Sequence, residues 1–462
     1  MKLRCKIFWP VISLFVLCCV AACNRPDPTE EDGHEPVRQA ATMAANHLAA
    51  RVMKNGQFVY QDNLNSKVRV APGYNILRHA GTIYAMAMYD AAWPDKRVRA
   101  AMVKAGRYLR DEAASPVPGK ENMSAVWSLP EVNKTGAPVQ AKLGGTGLGL
   151  VALLSIEAVQ PGFTPMARLG ELGRFILYMQ KPEGNFYSKY IPASGGPDDS
   201  WTSLYYPGEA AFGLVMLYEK DPDPAWLDGA VRALTFLADS RRGAVVVPED
   251  HWALIATERL LALAEPAVVS EGTRDRLTAH AVQICTRMVE RYENSRKPGR
   301  KFASALSTTQ VACTLEGLQA ALAVLPPDHL LVPRMKTVIE EGITFLTGAQ
   351  VVDGPYRGTI PRMAGGSAGP LSGAADPKAT EIRIDYTQHA LSALVLYAQR
   401  EVAGTQGSSK AVGLEGPRGR GVEDSGGEPA IKTRTLQKAS GRQGRFNSAC
   451  QGVFSEAGAA GG

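Results

Sequence analysis

The sequence predicts an all-α fold, an (α/α)6 toroid built from six helical hairpins with long loops on one face. Two observations lead to this prediction. Apolar residues recur with helical periodicity in twelve segments between Val37 and Ala403, and almost no stretch shows the two-residue alternation of a strand. The segments also alternate in kind, one amphipathic and the next apolar nearly all round, as expected for an outer ring around a buried inner ring.

The odd-numbered segments carry one apolar stripe and a charged face, as in DKRVRAAMVKAGRYLRDEA from Asp95. The even-numbered segments, such as HALSALVLYAQ from His389, are apolar on nearly every side and rich in small residues. Odd segments begin near Val37, Asp95, Pro165, Ala225, Ser270 and His329, and even ones near Asn75, Gly145, Gly208, Asp250, Thr309 and Asp385. The odd segments recur about every 58 residues, the spacing of a repeated hairpin.

The two kinds of connection differ in length. Links from even to odd segments are short and most contain proline, which ends one helix and starts the next. Links from odd to even segments are mostly long, and each leads into the N-terminus of an inner helix. We therefore expect all long loops at one mouth of the ring, where long structured loops usually carry function. Three of them share a glycine followed by an aromatic residue, at Asn55–Phe58, Glu183–Phe186 and Asp353–Tyr356.

The ends of the chain predict an exported lipoprotein. Residues 1–22 have a basic start, an apolar run and Val20-Ala21-Ala22 before Cys23, which describes a signal peptide with a lipidated Cys23. The apolar run is shorter than the ~20 residues of a membrane span. We expect a lipid anchor in the bacterial cell envelope, periplasmic or surface-exposed. Residues 23–36 read as a polar tether, 37–403 as the toroid, and 404–462 as a disordered Gly-rich tail.

Charge and cysteine content exclude two classes. The formal net charge is +6, but the excess lies in the signal peptide and the tail, so the toroid is near neutral and a basic surface for nucleic acid is not expected. Too few cysteines remain for a disulfide framework. Cys285 and Cys313 lie on successive predicted helices, and the sequence leaves open whether they are bridged or are two buried apolar side chains.

The twelve-helix alternation, together with EGNFY at Glu183–Tyr187 and YYPGEA at Tyr205–Ala210, resembles the six-hairpin glycosidase-like toroid superfamily. That superfamily includes glycoside hydrolases, unsaturated glucuronyl hydrolases, polysaccharide lyase domains and acylglucosamine epimerases. The resemblance implies a carbohydrate ligand, and it is one of architecture, since no catalytic signature matches residue by residue. Lanthionine-cyclase-like toroids have a zinc set with a Cys-His pair, and no Cys neighbours a His in this sequence, which argues against that group. No metal or organic cofactor is implied, and a calcium site formed by carbonyl-rich loops stays open.

Carboxylates at the predicted mouth suggest hydrolysis of a glycan. Cleavage of a glycosidic bond commonly uses one protonated and one ionised carboxyl. Glu209 and Asp250 form the best catalytic pair, since each lies at the start of an inner helix. Such acids equally stabilise the helix N-terminus, and that reading stays open.

Two other functions remain open at this stage. Histidines in the first turns of inner helices can exchange protons with a sugar carbon, which indicates an epimerase using His79 and His251. A toroid that only binds a glycan or a protein is the non-catalytic alternative. The residues expected to contact a substrate are Trp201, Tyr205, Tyr206, Trp252, His79, His251, Arg78, Asp385 and His389.

Overall fold

The computed structural model describes residues 35–263, 269–297, 306–364 and 377–411, with side chains described as far as residue 400. Thirteen α-helices lie in these residues, and one of them, α4 (Pro130–Asn133), is a single turn. The other twelve form the predicted six hairpins. The all-α toroid predicted from the alternation of helices is thus confirmed.

Six helices form a closed inner ring. They are α2 (Ile76–Ala92), α5 (Leu143–Val159), α7 (Tyr206–Tyr218), α9 (His251–Leu263), α11 (Thr308–Ala321) and α13 (Ile384–Ala411). Each packs against the next in this order, and α13 packs against α2 to close the ring. Small residues permit the close approach: a side chain added to Gly147 of α5 would lie 2.9 Å from the backbone of Glu209 in α7.

The outer helices cover the ring from outside. They are α1 (Glu35–Ala50), α3 (Lys96–Tyr108), α6 (Met166–Tyr178), α8 (Pro224–Arg241), α10 (Glu271–Ser295) and α12 (Val332–Ala349). Helix α3 continues as one π-helical turn, Leu109–Ala113. In α3 the buried residues lie on one side, whereas almost every residue of α5 from Leu143 to Leu154 is buried. The amphipathic and apolar sequence patterns therefore correspond to the outer and inner rings.

The long links contact one another, which places them at one end of the ring. Strands β1 (Gln61–Asn63) and β7 (Glu381–Arg383) pair antiparallel and join the first long link to the last. A five-stranded antiparallel sheet joins the second and third links; its strands are β2 (Ala114–Pro116), β3 (Ser124–Ser128), β4 (Gln140–Lys142), β5 (Lys189–Ile191) and β6 (Gly196–Asp198). This sheet could not be predicted from the sequence, because strands of three to five residues are too short to show the alternation of apolar and polar residues.

The glycine-aromatic theme has a structural role in two of its three copies. Phe58 and Phe186 are fully buried, and each lies in an isolated β-bridge that folds the chain back towards the preceding helix. Tyr356, the third aromatic, is only half-buried. The glycines Gly56, Gly184 and Gly354 have φ angles of 90°, 104° and 75°, a left-handed conformation that favours glycine.

The chain ends lie outside the described residues. The signal peptide, the lipid on Cys23 and most of the predicted tether and tail are therefore predictions only. Helix α13 continues to Ala411, past the boundary at 403 that the loss of apolar residues predicts. Within the described residues, none of the helices combines the length and hydrophobicity needed to span a membrane.

We predict that Gly184→Ala destabilises the fold more than Gly354→Ala. Both glycines have positive φ, so either substitution should cost roughly 1 kcal/mol or more of backbone strain. A methyl at Gly184 would also lie 2.5 Å from the carbonyl oxygen of Arg232, whereas nothing lies within 4 Å of the corresponding position at Gly354. The overlap should add about 1–3 kcal/mol at Gly184. Urea unfolding of both variants measures the difference, and equal losses would contradict the assigned close packing.

Candidate functional site

Four side chains with acid, base or metal-ligand chemistry meet inside the inner ring. His251 begins α9, Cys313 and Glu316 lie on α11, and His389 lies on α13. Each of them offers one nitrogen, sulfur or oxygen atom, and these four atoms all lie within 4.8 Å of one another. We call this set the four-residue cluster. Helix α11 packs between α9 and α13, so the three helices bring the four side chains together.

The His251 side chain is buried, with 2% of the residue exposed. Within the part of the chain that the structure describes, neither of its ring nitrogens has a hydrogen-bond partner. An unsatisfied buried polar group costs about 1–3 kcal/mol. Burial, together with the neighbouring His389, holds the pKa of His251 well below its usual range. The ring is thus a neutral imidazole with an unshared lone pair, which is the state of a base or a metal ligand.

His389 has the opposite electrostatic environment. Its Nδ1 lies 2.8 Å from Oε2 of Glu316, a residue that is itself buried in α11. Burial alone would lower the pKa of His389, but Cys313 and Glu316 outweigh it and raise the pKa well above the usual range. The ring centroids of His251 and His389 are 5.6 Å apart. Two neighbouring imidazoles therefore have pKa values shifted in opposite directions, a pattern typical of acid and base pairs.

Glu209 lies in the first turn of α7 and is also buried, with 5% of the residue exposed. Its Oε2 has no hydrogen-bond partner. Gly144 leaves space for this carboxyl, because a side chain there would overlap with Oε2. Burial, with a smaller contribution from Asp250, raises the pKa of Glu209 to about 8. The carboxyl is therefore protonated at neutral pH, in agreement with the acid role that the sequence suggests.

Asp250 does not have a free carboxylate. Its Oδ1 accepts a hydrogen bond from the backbone N–H of Ala253, and its Oδ2 accepts one from Arg241 at 2.9 Å. One partner lies in the first turn of the inner helix α9, and the other is the last residue of the outer helix α8. The structure thus gives Asp250 the helix-capping role that the sequence left open, so Asp250 is not a free carboxylate beside Glu209.

Asp385 and Arg78 are likewise engaged with each other. Asp385 pairs with Arg78 at 3.1 Å and with Arg383 through two bonds of 2.6 and 3.0 Å. Burial would raise the pKa of Asp385, but the two guanidinium groups outweigh it and lower the pKa to about 2. Arg78 also donates to the hydroxyl of Tyr60. This network joins the first and last hairpins and so holds the ring closed. Its charged groups are already paired with one another and are not free to bind an anionic sugar.

His79 lies outside the four-residue cluster. Its Nδ1 is 2.7 Å from the hydroxyl of Tyr74, and its Nε2 is 3.0 Å from the carbonyl oxygen of Ala105. Its ring also packs against Phe58 and Tyr108. Both nitrogens therefore have structural partners. The pairing of His79 with His251, proposed from the sequence for an epimerase, finds no support, whereas His389 lies beside His251.

The four aromatic residues predicted to contact a substrate differ in how far other side chains cover them. Trp252 is only 3% exposed and packs among Tyr84, Phe212 and His251, so its faces are covered. Tyr206 is buried against Trp201, and the ammonium group of Lys189 lies over the indole of Trp201. Tyr205 is half-buried and its ring meets His251 edge-on at 5.1 Å. Both Tyr205 and Trp252 therefore contact His251 of the cluster, and Tyr205 is the one of the two that is partly exposed.

Cys313 and Glu316 were missed as functional residues. From the sequence, Cys313 was expected to be either bridged to Cys285 or simply buried. The structure shows that both Cys313 and Cys285 are free thiols. One signal was present: Glu316 is a carboxylate inside the apolar segment VACTLEGLQAA, three residues after Cys313 and hence on the same helical face. The partner histidines lie 62 and 76 residues away from Cys313 in opposite directions along the chain, so adjacency in sequence could not reveal the cluster.

Comparison with known proteins gives structural neighbours. No protein-family model matches the chain, and no curated protein sequence matches it significantly. A cellobiose 2-epimerase from Bacillus thermoamylovorans has a similar structure, with a TM-score of 0.59, 11% identity, and coverage of 79% of this chain and 99% of that one. An unsaturated glucuronyl hydrolase specific for heparin has a TM-score of 0.52, 12% identity, and coverage of 80% and 99%. The chain shares the six-hairpin (α/α)6 toroid fold of these two proteins.

A third structural neighbour is a polysaccharide lyase, with a TM-score of 0.51, 14% identity, and coverage of 80% of this chain and 98% of that one. The three neighbours act by different reactions on carbohydrates, according to their names. The resemblance to the six-hairpin superfamily stated from the sequence is confirmed for the fold. At this level of identity the similarity extends to the fold alone.

We predict that Glu209→Gln stabilises the protein relative to the wild type at pH 8 and not at pH 4.5. In the wild type, the unfolded state loses its Glu209 proton near pH 4.5, whereas the folded state keeps it to about pH 8. The unfolded state therefore binds fewer protons in this window, and wild-type stability falls as the pH rises. The variant lacks this loss, so its advantage should grow by at most about 1.4 kcal/mol per pH unit.

Urea unfolding at several pH values, with the exposed Glu183→Gln as the control, measures this difference. The control should follow the wild type across the whole range. Parallel stability curves for Glu209→Gln and the wild type would show that Glu209 ionises at its usual pKa in the folded protein.

We also predict that Asp385→Asn lowers the free energy of unfolding by about 3 kcal/mol, because it removes the carboxylate that binds both Arg78 and Arg383 and leaves Arg383 only its pair with Glu381 at 3.6 Å. Asp199→Asn is the matched control. Asp199 pairs with Lys181 at the surface and should contribute less than about 1 kcal/mol. Chemical unfolding at pH 7 compares the two variants. Similar small losses for both would mean that the Asp385 network does not hold the ring.

Proposed function

We propose that this protein is a carbohydrate-active enzyme that moves a proton at a sugar carbon, with His251 and His389 as base and acid. The observation that carries the proposal is the geometry of the two imidazoles. They meet edge-on from α9 and α13, with centroids 5.6 Å apart and ring planes at 74° to each other. Within the described residues, both nitrogens of His251 are unpartnered, and His389 is bound to a carboxylate. The fold similarity to carbohydrate-active enzymes, a cellobiose 2-epimerase among them, supports the choice of a sugar as substrate.

The reaction proceeds through the open-chain form of a reducing sugar. The carbonyl group at carbon 1 makes the hydrogen on carbon 2 acidic, and His251 takes that hydrogen as a proton. The electron pair of the broken C–H bond moves into an enolate. His389, protonated beside Glu316, then returns a proton to the other face of carbon 2, which inverts its configuration. His251 then releases its proton to solvent and His389 takes one from solvent, which restores both rings, and the sugar keeps its composition.

The other residues have supporting roles in this proposal. Glu316 orients the His389 ring through the 2.8 Å hydrogen bond and balances its positive charge. Tyr205 touches the edge of the His251 ring and is half-buried, so it can offer an aromatic surface to a sugar next to the base. Glu209, a buried protonated carboxyl, can donate a hydrogen bond to an oxygen that gains negative charge in the enolate.

A second candidate function is hydrolysis of a glycosidic bond with Glu209 as the general acid. The specific observation in its favour is the raised pKa of Glu209, about 8, which is the state that such an acid needs. The same reaction also needs a second, ionised carboxylate. The carboxylate expected for it, Asp250, is bound to Arg241 and to the first turn of α9. For this reason the histidine pair is the better supported choice.

As part of the same proposal, the enzyme acts in the bacterial envelope. This location follows from the export and the lipid anchor that residues 1–23 lead us to expect. A short polar tether would hold the toroid near the membrane through the lipid on Cys23. The substrate would then be a reducing sugar or glycan fragment outside the cytoplasm. Radiolabelled palmitate in growing cells, compared between the wild type and Cys23→Ala, tests this part independently of the chemistry.

We predict that the protein introduces deuterium at carbon 2 of a reducing disaccharide in D2O, and that His251→Gln and His389→Gln each reduce the rate by about 10²–10⁴-fold. The test uses a panel of reducing disaccharides that includes cellobiose, with NMR and mass spectrometry of the recovered sugar. His47→Gln is the control, because His47 lies on the outer helix α1, contacts the carbonyl oxygen of Arg357, and should leave the rate unchanged.

Three outcomes distinguish the candidates. Deuterium at carbon 2 that depends on both histidines supports the proposal. Release of new reducing ends that depends on Glu209 and persists in the histidine variants supports hydrolysis instead. Binding of sugars with neither reaction, unchanged in every variant, would leave a non-catalytic binding toroid and overturn both enzymatic assignments.

A further inference from the structure

The four-residue cluster contains more potential metal ligands than proton transfer requires. Its members supply two imidazole nitrogens, one thiol sulfur and one carboxylate oxygen, all within 4.8 Å of one another. Oε2 of Glu316 lies 2.8 Å from Nδ1 of His389 and 3.9 Å from Nε2 of His251. A thiol has no role in the proposed epimerisation. The presence of Cys313 in this set therefore requires a separate explanation.

The helices hold these donor atoms in nearly fixed positions. Cys313 and Glu316 are three residues apart on α11, so they project from the same face. Gly317, the next residue, lets α11 approach α9 closely, since a side-chain carbon added there would lie 3.1 Å from Cβ of His251. Cys313 and His389 are partly exposed, while Glu316 and His251 are buried. The cluster is thus a buried site with an opening on one side.

We propose that His251, Cys313, Glu316 and His389 form a tetrahedral site for a borderline transition-metal ion, with Zn²⁺ as the best match. Zinc binds thiolate at ~2.3 Å and imidazole or carboxylate at ~2.0–2.2 Å, so ligand atoms in a tetrahedral site lie roughly 3.3–3.7 Å apart. Some separations between ligand atoms in the cluster are shorter than this range and others are longer. Side-chain rotations that move these atoms by about an ångström would complete the tetrahedral arrangement. The thiol and the imidazoles disfavour Mg²⁺ and Ca²⁺, which prefer oxygen ligands.

An independent observation points to a ligand at this place. Neither nitrogen of the buried His251 ring has a hydrogen-bond partner in the structure. Buried polar groups are normally paired, and an unpaired buried group calls for an explanation such as an ion. A metal bound to Nε2 would give this ring its missing partner. On binding, Cys313 loses its proton to solvent and coordinates as the thiolate, and His389 coordinates as the neutral imidazole.

Metal binding would regulate the proposed enzyme. This part rests on the proposed function, because a metal held by His251 and His389 would occupy the two rings that transfer protons in the epimerisation. A molecule with zinc in the cluster therefore cannot act as the acid-base catalyst. The metal-bound form is inactive, and removal of the metal by a chelator restores activity.

The test uses Co²⁺, which replaces Zn²⁺ in tetrahedral sites and reports thiolate ligation by absorption. The purified protein is treated with chelator, titrated with Co²⁺, and then with Zn²⁺. We expect one Co²⁺ per chain, with the intense visible bands of a tetrahedral ion and a thiolate-to-metal charge-transfer band in the near ultraviolet. Zn²⁺ should displace the Co²⁺. Cys313→Ala and His389→Ala should each weaken binding by more than about 100-fold and remove the charge-transfer band or the tetrahedral spectrum.

Cys285→Ala is the matched control, since Cys285 is the buried free thiol of α10 and lies outside the cluster. It should bind Co²⁺ like the wild type. No tetrahedral spectrum in the wild type, or one that persists in Cys313→Ala, would overturn the proposal. Co²⁺ binding is measured without turnover. A failure of the proposed metal site can therefore be distinguished from a failure of the proposed epimerisation. Where turnover is detected, Zn²⁺ should abolish it and chelator should restore it.

Discussion

Closure of the inner ring between its first and last helices is the constraint on which the site depends. Helix α13 packs between α2 and α11, and Asp385 at its start binds Arg78 of α2 and Arg383. The strand pair β1–β7 joins the same two hairpins from the loop side. This closure is what places His389, near the end of the toroid, beside residues 251 and 316. An open solenoid of the same hairpins would leave α13 at one end and His389 without its partners.

The inner ring also explains why the site has such unusual electrostatics. Its helices are apolar on nearly every side, so any titratable group that points into the ring loses most of its hydration. Each group then responds to its nearest neighbour. Burial outweighs the nearby His389 at Glu209 and raises its pKa, so Glu209 remains protonated, and burial keeps His251 neutral. At His389, Cys313 and Glu316 together outweigh burial and raise the pKa, so this ring is charged. Burial thus creates a protonated acid and a neutral base within one fold, without any special sequence motif.

Sequence reasoning recovered the architecture because the alternation of amphipathic and apolar helices is a property of composition and period. It also named Glu209 as a catalytic candidate and His251 and His389 as substrate contacts, since all three lie near the starts of inner helices. It could not distinguish Asp250 and Asp385 from free acids, because their partners Arg241 and Arg78 lie on other helices and become neighbours only in the folded ring. The grouping of Cys313 and Glu316 with the two histidines was not predicted for the same reason, because the histidines lie on other helices.

We propose that the four-residue cluster, rather than a pair of carboxylates, is the functional centre of this toroid. A crystal structure of the chelator-treated protein soaked with a reducing disaccharide would distinguish the two. We expect sugar density beside Tyr205, with carbon 2 within about 3.5 Å of a ring nitrogen of His251 and of His389, the distance of a reactive contact. Sugar bound at the mouth with carbon 2 far from both rings, and a glycosidic oxygen against Glu209 instead, would contradict the claim.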